Sequence, residues 1–443
     1  MAHKIDQLVR DAVFADGDAK SNARKEIHLE ARKRSAVPSS IFPLYSAIGR
    51  GEVSRRFTVP AFNLRALTYD AACALFRAAM RNEVGAFIFE IARSEIGYTD
   101  QRPAEYAACV LAAAIRENFR GPVFIQGDHF QASAKKWAAE EGRNAEIKAL
   151  ESLIDEALAA EFYNIDIDTS TLVELGFPTR DEQQRANYEG TAHFTKYIRA
   201  HEPKGITVSV GGEIGEVGKY NTQPDEVRAY MTGLKKLLDG ITGISKISVQ
   251  TGTSHGGVPM ADGSIAQVKI DFEVLRQTTR LCRKEYGISG AVQHGASTLP
   301  EEVFNKFPES EAVEIHLATG FQNMILDAPT FPKDMKEDIR EFSFAKAADE
   351  RKPGETDEQF VYKTRKKALG PFKRRMWDMP SEAKQPIIDE LEAKFEFLMQ
   401  KLGVFKTRDL VAKHVPFSAE LPSYAAASEE LTAAAVVDPN EGE

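Results

Sequence analysis

The sequence contains the stretch PVFIQGDH at positions 122–129, in which an apolar, β-branched run ends abruptly in a glycine, an acid and a histidine. Seven other runs end in a similar way: FTVPAFNL (57–64), AFIFEIARSE (86–95), FYNIDIDTS (162–170), ITVSVGGEIG (206–215), ISKISVQTGTSHGG (244–257), GAVQHGAS (290–297) and AVEIHLATG (312–320). Short runs of this kind are typical of buried strands, and helical stretches separate most of them. Eight such units predict an α/β fold, a (β/α)8 TIM barrel with its active site at the C-terminal ends of the strands.

The chain is longer than a plain barrel, with 443 residues. We expect the barrel at 51–330, because barrels of this type often run past about 250 residues with insertions. The other predicted regions are a helical N-terminal extension at 1–50, a C-terminal helical extension with a basic segment at 331–420 and a disordered tail at 421–443. Crossover helices are predicted within 176–201, 225–240 and 271–287, and an insertion after the third strand within 130–161.

The composition favours a cytoplasmic enzyme. The formal net charge of −9 argues against a nucleic-acid binder, for which a basic surface is the usual footprint. Cys73, Cys109 and Cys282 show no CxxC spacing, which fits free thiols in a reducing compartment. No apolar run approaches the ~18 residues of a membrane span, and the N-terminus has no secretory pattern, so we expect no membrane partner.

Three histidines occupy equivalent positions at predicted strand ends. His129 ends the third strand beside Asp128, whereas His255 and His294 end the sixth and seventh strands, each followed by a glycine. A single histidine at a strand end is more often a structural hydrogen-bond donor. Three neutral imidazoles from such positions can bind zinc and leave a coordination position open, which a Lewis-acid catalyst needs.

The glycines after these histidines indicate a second kind of site. Gly256 and Gly295 remove the Cβ where a ligand would approach the main chain, and successive backbone N–H groups there can hold an anion. Ser297 and Thr319 add hydroxyl groups near the same rim. Loops after the seventh and eighth strands often bind phosphate in barrels, although tight turns that simply need glycine would give the same pattern.

Together, seven motifs carry a resemblance to a known family. They are PAFN (60–63), GDH (127–129), IDIDTS (165–170), GGEIG (211–215), GTSHGG (252–257), QHGAS (293–297) and RKKALGPFKRR (365–375). In order and context they resemble the signature of the class II, zinc-dependent fructose-bisphosphate aldolases. The resemblance extends from about Phe57 to about Val404, which is most of the chain.

The resemblance implies a metal centre and a proton-transfer group. His129, His255 and His294 match the zinc ligands of the family. Glu213 matches a glutamate that lies beside the metal and can enter its coordination sphere. Asp128 matches the catalytic carboxylate that moves a proton at the substrate carbon whose bond breaks. One divalent zinc ion per subunit is therefore expected, and no Schiff-base lysine is required.

The resemblance also implies substrate-binding positions. Gly256, Gly295 and Ser297 match the first phosphate site, where family members also hold a monovalent cation. Thr319 matches a hydroxyl that helps to hold this phosphate, and Asn63 matches an asparagine at the floor of the site. These positions predict a small-molecule sugar phosphate as the partner of the protein.

A basic cluster near the C-terminus implies an oligomer. Lys373, Arg374 and Arg375 fall where the family supplies an arginine from a neighbouring subunit to the second phosphate. We therefore expect a homodimer or higher homo-oligomer, with Lys373 as a substrate-binding residue. The implied reaction is the reversible aldol cleavage of a ketose such as fructose 1,6-bisphosphate to dihydroxyacetone phosphate and an aldehyde.

The sequence departs from the family at positions that recognise substrate. After the eighth strand the family has NxDT, whereas this chain has His316 and Ala318 in place of the amide and the carboxylate. On the second strand the usual QxS is replaced by Glu90 and Ala92 around an isoleucine, which loses a hydroxyl and adds a charge. In the loop after GGEIG, Tyr220 lies near the position where the family has an acidic residue.

These departures leave alternatives open. His316 is a candidate catalytic residue that would act as an acid or base or bind a substrate oxygen, and a structural hydrogen bond is an equal interpretation. We expect Glu90 to pair with Arg93, Lys219 or the basic segment, and Asp168 to support the barrel rim. The protein could also be an aldolase for another sugar phosphate or modified ketose, or a non-catalytic barrel that retains only binding.

Overall fold

A closed barrel of parallel strands forms the centre of the protein. The computed structural model of the chain describes residues 2–53, 56–215, 220–252 and 270–417. Its strands are β1 Ala36–Pro38, β2 Val59–Asn63, β3 Ile88–Ala92, β4 Gly121–Gln131, β5 Asn164–Asp168, β6 Ser209–Glu213, β7 Lys246–Ser248, β8 Ala291–Gln293 and β9 Glu314–Leu317. Strands β2 to β9 each pair in parallel with the next, and β9 pairs with β2. The predicted (β/α)8 TIM barrel is confirmed.

Helices surround the barrel and extend it at both ends. They are α1 Ala2–Phe14, α2 Gly17–Lys33, α3 Phe42–Gly49, α4 Thr68–Arg81, α5 Arg93–Tyr98, α6 Pro103–Arg116, α7 Ala134–Trp137, α8 Glu140–Ala159, α9 Arg180–His201, α10 Pro224–Leu238, α11 Phe272–Leu281, α12 Lys306–Glu309, α13 Thr319–Leu326, α14 Lys333–Lys346, α15 Asp357–Thr364, α16 Lys373–Trp377, α17 Ser381–Lys401 and α18 Arg408–His414. The expected crossover helices correspond to α9, α10 and α11, and α7 and α8 occupy the expected insertion. The predicted tail at 421–443 lies outside the described residues.

The N-terminal extension covers the N-terminal mouth of the barrel. The side chain of Asn164, at the start of β5, accepts a hydrogen bond from the backbone N–H of Ile41 at 2.9 Å and donates to the carbonyl of Ser39 at 3.2 Å. Tyr45 of α3 is fully buried and donates its hydroxyl hydrogen to Glu314 at the start of β9. The extension therefore packs against the end of the barrel at which the strands begin.

Part of the predicted helical N-terminal extension is instead a short strand. Residues Ala36–Pro38 pair in parallel with the first residues of β4, from Gly121 to Val123. Three residues are too few to give a periodic signal, and Pro38 argues against a strand except at an edge. β1 lies at such an edge, because its described pairing is with β4 alone.

Helix α17, near the C-terminus, packs against the barrel. The ring of Phe395 on α17 packs 5.2 Å from Phe62 of β2 and 5.0 Å from Phe321 of α13, measured between centroids.

The three cysteines are free and buried, as expected from their spacing. Among the helices of the described residues, none combines the length and the apolar character that a membrane crossing requires.

Candidate functional site

The C-terminal mouth of the barrel holds a narrow cavity. Most of its lining is polar and comes from strand ends: Asn63, Arg65, Glu90, Ala92, Ser94, Glu95, Asp128, His129, His294, Gly295, Ser297, His316, Ala318 and Thr319. Eight of the residues predicted to bind metal or substrate or to take part in catalysis therefore lie together here. His255 and Gly256, also predicted for the site, lie outside the described residues.

An irregularity in β4 places two consecutive side chains in the cavity. The register between β4 and β5 shifts between Gly127 and Phe130, which marks a β-bulge. His129 adopts a left-handed backbone conformation with φ of 38°, which is uncommon for a residue other than glycine. Consecutive strand residues normally point to opposite faces, but the bulge turns both Asp128 and His129 towards the site.

Two imidazoles and a carboxylate form a candidate metal centre. His129, Glu213 and His294 each offer a ligand atom, and these atoms lie within 4.8 Å of one another. The Nδ1 of His129 is 3.0 Å from Oε2 of Glu213, and the His129 and His294 ring centroids are 4.3 Å apart. Burial raises the pKa of Glu213 to about 7, and the charge of Asp168 adds to this rise. Nitrogen and carboxylate donors of this number suit zinc.

Asp168 supports this centre from behind. Its Oδ2 lies 3.0 Å from Nδ1 of His129 and accepts from the amide of Gln131 at 2.5 Å, and its Oδ1 accepts from the Ser170 hydroxyl at 2.6 Å. Burial alone would raise the pKa of Asp168, but these hydrogen bonds and the histidine lower it. A carboxylate behind a metal-binding histidine usually fixes the orientation of the ring.

Asp128 belongs to a second cluster with His316 and Glu90. Nδ1 of His316 lies 2.9 Å from Oε2 of Glu90 and 3.2 Å from Oδ1 of Asp128. Burial opposes ionisation of Asp128, yet the charges of His129 and His316 hold its pKa well below the usual range. Burial raises the pKa of Glu90 to about 8. The site thus contains an ionised carboxylate beside groups that can hold a proton.

This arrangement corrects one of the partners expected for Glu90, which is Arg93. Arg93 instead pairs with Glu146 of α8, at 2.5 Å between Nη1 and Oε1. Lys219 lies outside the described residues. His316 and Glu90 are far apart in sequence, and they meet because β9 pairs with β2, which in turn pairs with β3.

A polar layer that the sequence analysis missed lies beneath the cavity. Lys246 is buried at the start of β7, with its Nζ 2.9 Å from Asp166 and 2.7 Å from the side-chain oxygen of Gln126, and it also pairs with Glu314. Burial would lower the pKa of Lys246, but the two carboxylates raise it, so the ammonium form persists. The sequence does carry a signal for this layer, which is a charged residue inside an apolar strand run: Lys246 in ISKISV and Glu314 in AVEIHL.

Arg65, a basic residue that the sequence analysis also missed, lines the other side of the cavity. The guanidinium of Arg65 binds Glu95 through Nε at 2.7 Å and Nη2 at 2.6 Å, and its Nη1 lies 3.3 Å from the Thr319 hydroxyl. Asn63 donates to Glu95 at 2.6 Å. Burial, together with the nearby Arg65 charge, lowers the pKa of Lys366 to about 7.

The other predicted substrate-binding residues divide into two groups. Gly295, with φ of 67°, and Ser297 lie in the cavity wall after β8, and Ser297 Oγ accepts from the backbone N–H of Gly320 at 3.0 Å. Lys373 is not part of the described cavity lining, because its Nζ pairs with Glu105 at 2.7 Å. Its predicted role concerned a neighbouring subunit, so it stays a prediction.

The fold and these side chains define a (β/α)8 barrel with a candidate metal centre at its C-terminal mouth. The model of the family described as fructose-bisphosphate aldolase class-II matches residues 52–385. The chain belongs to this family. No curated protein gives a match.

Several solved structures share the fold. Fructuronate-tagaturonate epimerase UxaE from Cohnella laeviribosi is 11% identical, with 90% of each chain covered and a TM-score of 0.59. A probable tagatose 6 phosphate kinase from Sinorhizobium meliloti 1021 is 14% identical over 81% of this chain and 98% of that chain, with a TM-score of 0.52. A fructose-bisphosphate aldolase from Campylobacter jejuni is 16% identical over 83% and 94%, with a TM-score of 0.48. At these identities, the first two similarities show a shared fold alone.

Proposed function

We propose that the protein is a metal-dependent aldolase that reversibly cleaves a phosphorylated ketose to dihydroxyacetone phosphate and an aldehyde. One observation carries the proposal. His129, His294 and Glu213 meet beside Asp128 at the mouth of a barrel that belongs to the class II aldolase family. This arrangement places a candidate cation site next to a carboxylate that can move a proton.

The metal would be held by His129 and His294, with Glu213 beside them. We propose zinc, with His255 as the third histidine ligand. When bound, the ion would supply Lewis-acid stabilisation of the negative charge that develops on the substrate. Asp168 would keep the His129 ring in place, as its 3.0 Å contact with Nδ1 suggests.

Asp128 is the proposed proton-transfer group. Its carboxylate is buried, lines the cavity and is favoured in the ionised form by two neighbouring histidines. An ionised carboxylate can accept a proton from a substrate hydroxyl or carbon and return it in the reverse direction. His316 lies 3.2 Å from Asp128 and can stabilise its ionised form, and Glu90 contacts the same nitrogen of His316 at 2.9 Å.

The substrate phosphate would bind at the loops after β8 and β9. Gly295 and Ser297, with Gly256, would offer backbone N–H groups and a hydroxyl, and a monovalent cation could support this site. Thr319 would add its hydroxyl, and Asn63 would contact the substrate from the cavity floor. We place the second phosphate of a bisphosphate substrate, if present, near Lys373 of a neighbouring copy in a cytoplasmic homodimer.

A second candidate function is the epimerisation of an acidic ketose. It is favoured by His316, Ala318, Glu90 and Ala92, which replace positions that recognise a phosphorylated sugar in the aldolases. His316 adds an acid–base group beside Asp128, and epimerisation through a cleaved or deprotonated ketose needs such groups. The epimerase from Cohnella laeviribosi, by its title, acts on fructuronate and tagaturonate.

One set of assays tests both candidates. Purified protein is first analysed for bound metal and then assayed with ketose monophosphates, ketose bisphosphates and ketohexonates, following both cleavage and epimerisation. Asp128→Ala should lower kcat about 10²–10⁴-fold with metal content retained. Asp349→Ala, at an exposed acid, is the matched control.

The outcomes separate the possibilities. Cleavage that depends on metal and on Asp128 supports the aldolase, whereas interconversion of ketohexonates without net cleavage supports the epimerase. Full activity after metal removal would refute the metal mechanism. Binding of a sugar phosphate that survives Asp128→Ala, with no turnover of any substrate, would indicate a binding protein.

A further inference from the structure

The side chain of Glu314 is the centre of the polar layer beneath the cavity. It is fully buried at the start of β9. Its Oε1 accepts from Nε2 of His316 at 2.7 Å, from the amide of Gln126 at 3.0 Å and from the Lys246 ammonium. Its Oε2 accepts from the hydroxyl of Tyr45, which the N-terminal extension contributes. Four donors from four elements therefore fix one carboxylate.

This carboxylate determines how the imidazole of His316 is placed. Residues 314 and 316 are two apart on β9 and so share a face of the strand. An ionised carboxylate can only accept hydrogen bonds, so the contact with Glu314 requires a hydrogen on Nε2 of His316. The other nitrogen then faces Asp128 and Glu90, and within the described part of the chain it has no aligned hydrogen-bond partner.

We propose that Glu314 is a positioning residue that fixes the ring of His316 with a hydrogen on Nε2 directed at Glu314, so that Nδ1 faces Asp128 and the substrate. This inference rests on the proposed reaction at Asp128. Glu314 does not line the cavity, so it would act through His316 and not by contact with substrate. His316 itself lines the cavity and is the group that would meet a substrate oxygen.

Charge balance alone does not account for Glu314. Asp166 already pairs with Lys246 at 2.9 Å, so the buried ammonium would keep a counter-charge without Glu314. Asp166, Glu314 and His316 also lie close enough together to suggest a cation site. The Lys246 ammonium contacts both carboxylates of that trio and supplies the cation itself. What remains for Glu314 is its short contact with Nε2 of His316.

Lys246→Met combined with Glu314→Leu tests the inference. The double substitution removes both charges of this pair and keeps similar volume, which buried ion pairs often tolerate. It leaves Asp166 without its ammonium partner, so Glu314→Gln is made alongside it. We expect kcat to fall about 10–100-fold, the usual cost of losing the group that orients a functional histidine. KM and metal content should stay within about twofold of the wild-type protein. The control pair Arg102→Met with Glu156→Leu removes a partly buried ion pair between α6 and α8 and should leave kcat within about twofold.

Glu314→Gln provides a milder variant should the double variant fail to fold. It keeps an acceptor oxygen for Nε2 but removes the charge, so its kcat should lie between the wild-type and double-variant values. The inference would be overturned by an unchanged kcat in either folded variant, including the case in which only KM changes.

Nitrogen NMR of histidine-labelled protein gives a readout that needs no turnover. The signals of His316, assigned by their loss in His316→Gln, should show a hydrogen on Nε2 in the wild-type protein and should shift in both Glu314 variants. Signals that stay the same in both variants would refute the positioning role. Wild-type protein that orders His316 in this way but turns over no ketose would instead refute the proposed function.

Discussion

At the scale of single residues, Asp168 should control how tightly the metal is held. It contacts Nδ1 of His129 and is itself held by Gln131 and Ser170. Asp168→Asn keeps the shape but weakens the orientation of the ring, so we expect metal affinity to fall about 10–100-fold. Competition with a chelator measures this affinity. Asp225→Asn, on an exposed acid of α10, is the matched control and should retain the wild-type affinity. Equal affinities in the two variants would contradict the role of Asp168.

Lys366 should make stability depend on pH. Burial lowers its pKa to about 7 from 10.5, so between these values the unfolded chain binds a proton that the folded chain does not. Lys366 therefore destabilises the folded state most below pH 7, and this destabilisation becomes smaller as the pH increases from about 7 to 10.5. Lys366→Met should increase the free energy of unfolding at pH 6 by an amount on the order of 1 kcal/mol, and this gain should shrink by pH 10.

Urea unfolding at several pH values measures the effect of Lys366. Lys363→Met, at a lysine one helical turn earlier that pairs with Glu355 at 2.9 Å, provides the comparison. A constant difference between wild-type protein and Lys366→Met across this pH range would contradict the prediction.

At the scale of elements, the bulge in β4 is the feature that builds the site. A Cβ added at Gly127 would meet the ring of Phe130 at 2.5 Å, closer than packed atoms approach. Gly127→Ala should therefore lower the free energy of unfolding by about 1–3 kcal/mol, because overpacked cores lose stability in this range. It should also lower kcat, since Asp128 and His129 follow directly in the bulge.

Denaturant unfolding and steady-state kinetics check the bulge prediction. Gly176→Ala is the matched control, because a Cβ there meets nothing within 4 Å. If the Gly127→Ala protein were as stable and as active as Gly176→Ala, the bulge would not depend on having a glycine at position 127.

The elements were largely predictable, whereas their local irregularities were not. Eight strands followed from runs of β-branched residues, because buried parallel strands need such side chains on both faces. The bulge at Asp128 and His129 has no such pattern, since it depends on how β4 fits between β3 and β5.

At the scale of the whole molecule, the barrel brings together charges that are distant in sequence. The sequence identified His129, His294 and Asp128 from their positions at predicted strand ends, and Glu213 through the family resemblance. It did not identify Glu314, which lies inside a strand run. The contacts of Glu314 with Gln126 and Lys246 form only when the barrel closes. Contacts across the barrel axis follow from closure and have no counterpart in local sequence patterns.

Closure also crowds acidic groups at one mouth, and this predicts that metal stabilises the whole fold. Glu213 and Asp168 both lie 3.0 Å from His129, and a cation that binds only the folded state stabilises it through mass action. Zinc at 100 times its Kd should raise the free energy of unfolding by about 2.7 kcal/mol. Denaturant unfolding with zinc and with chelator measures the difference. His294→Gln should abolish the response, whereas His193→Gln, an exposed histidine on α9, should keep it. A zinc response that persists in His294→Gln would mean that the ion binds elsewhere.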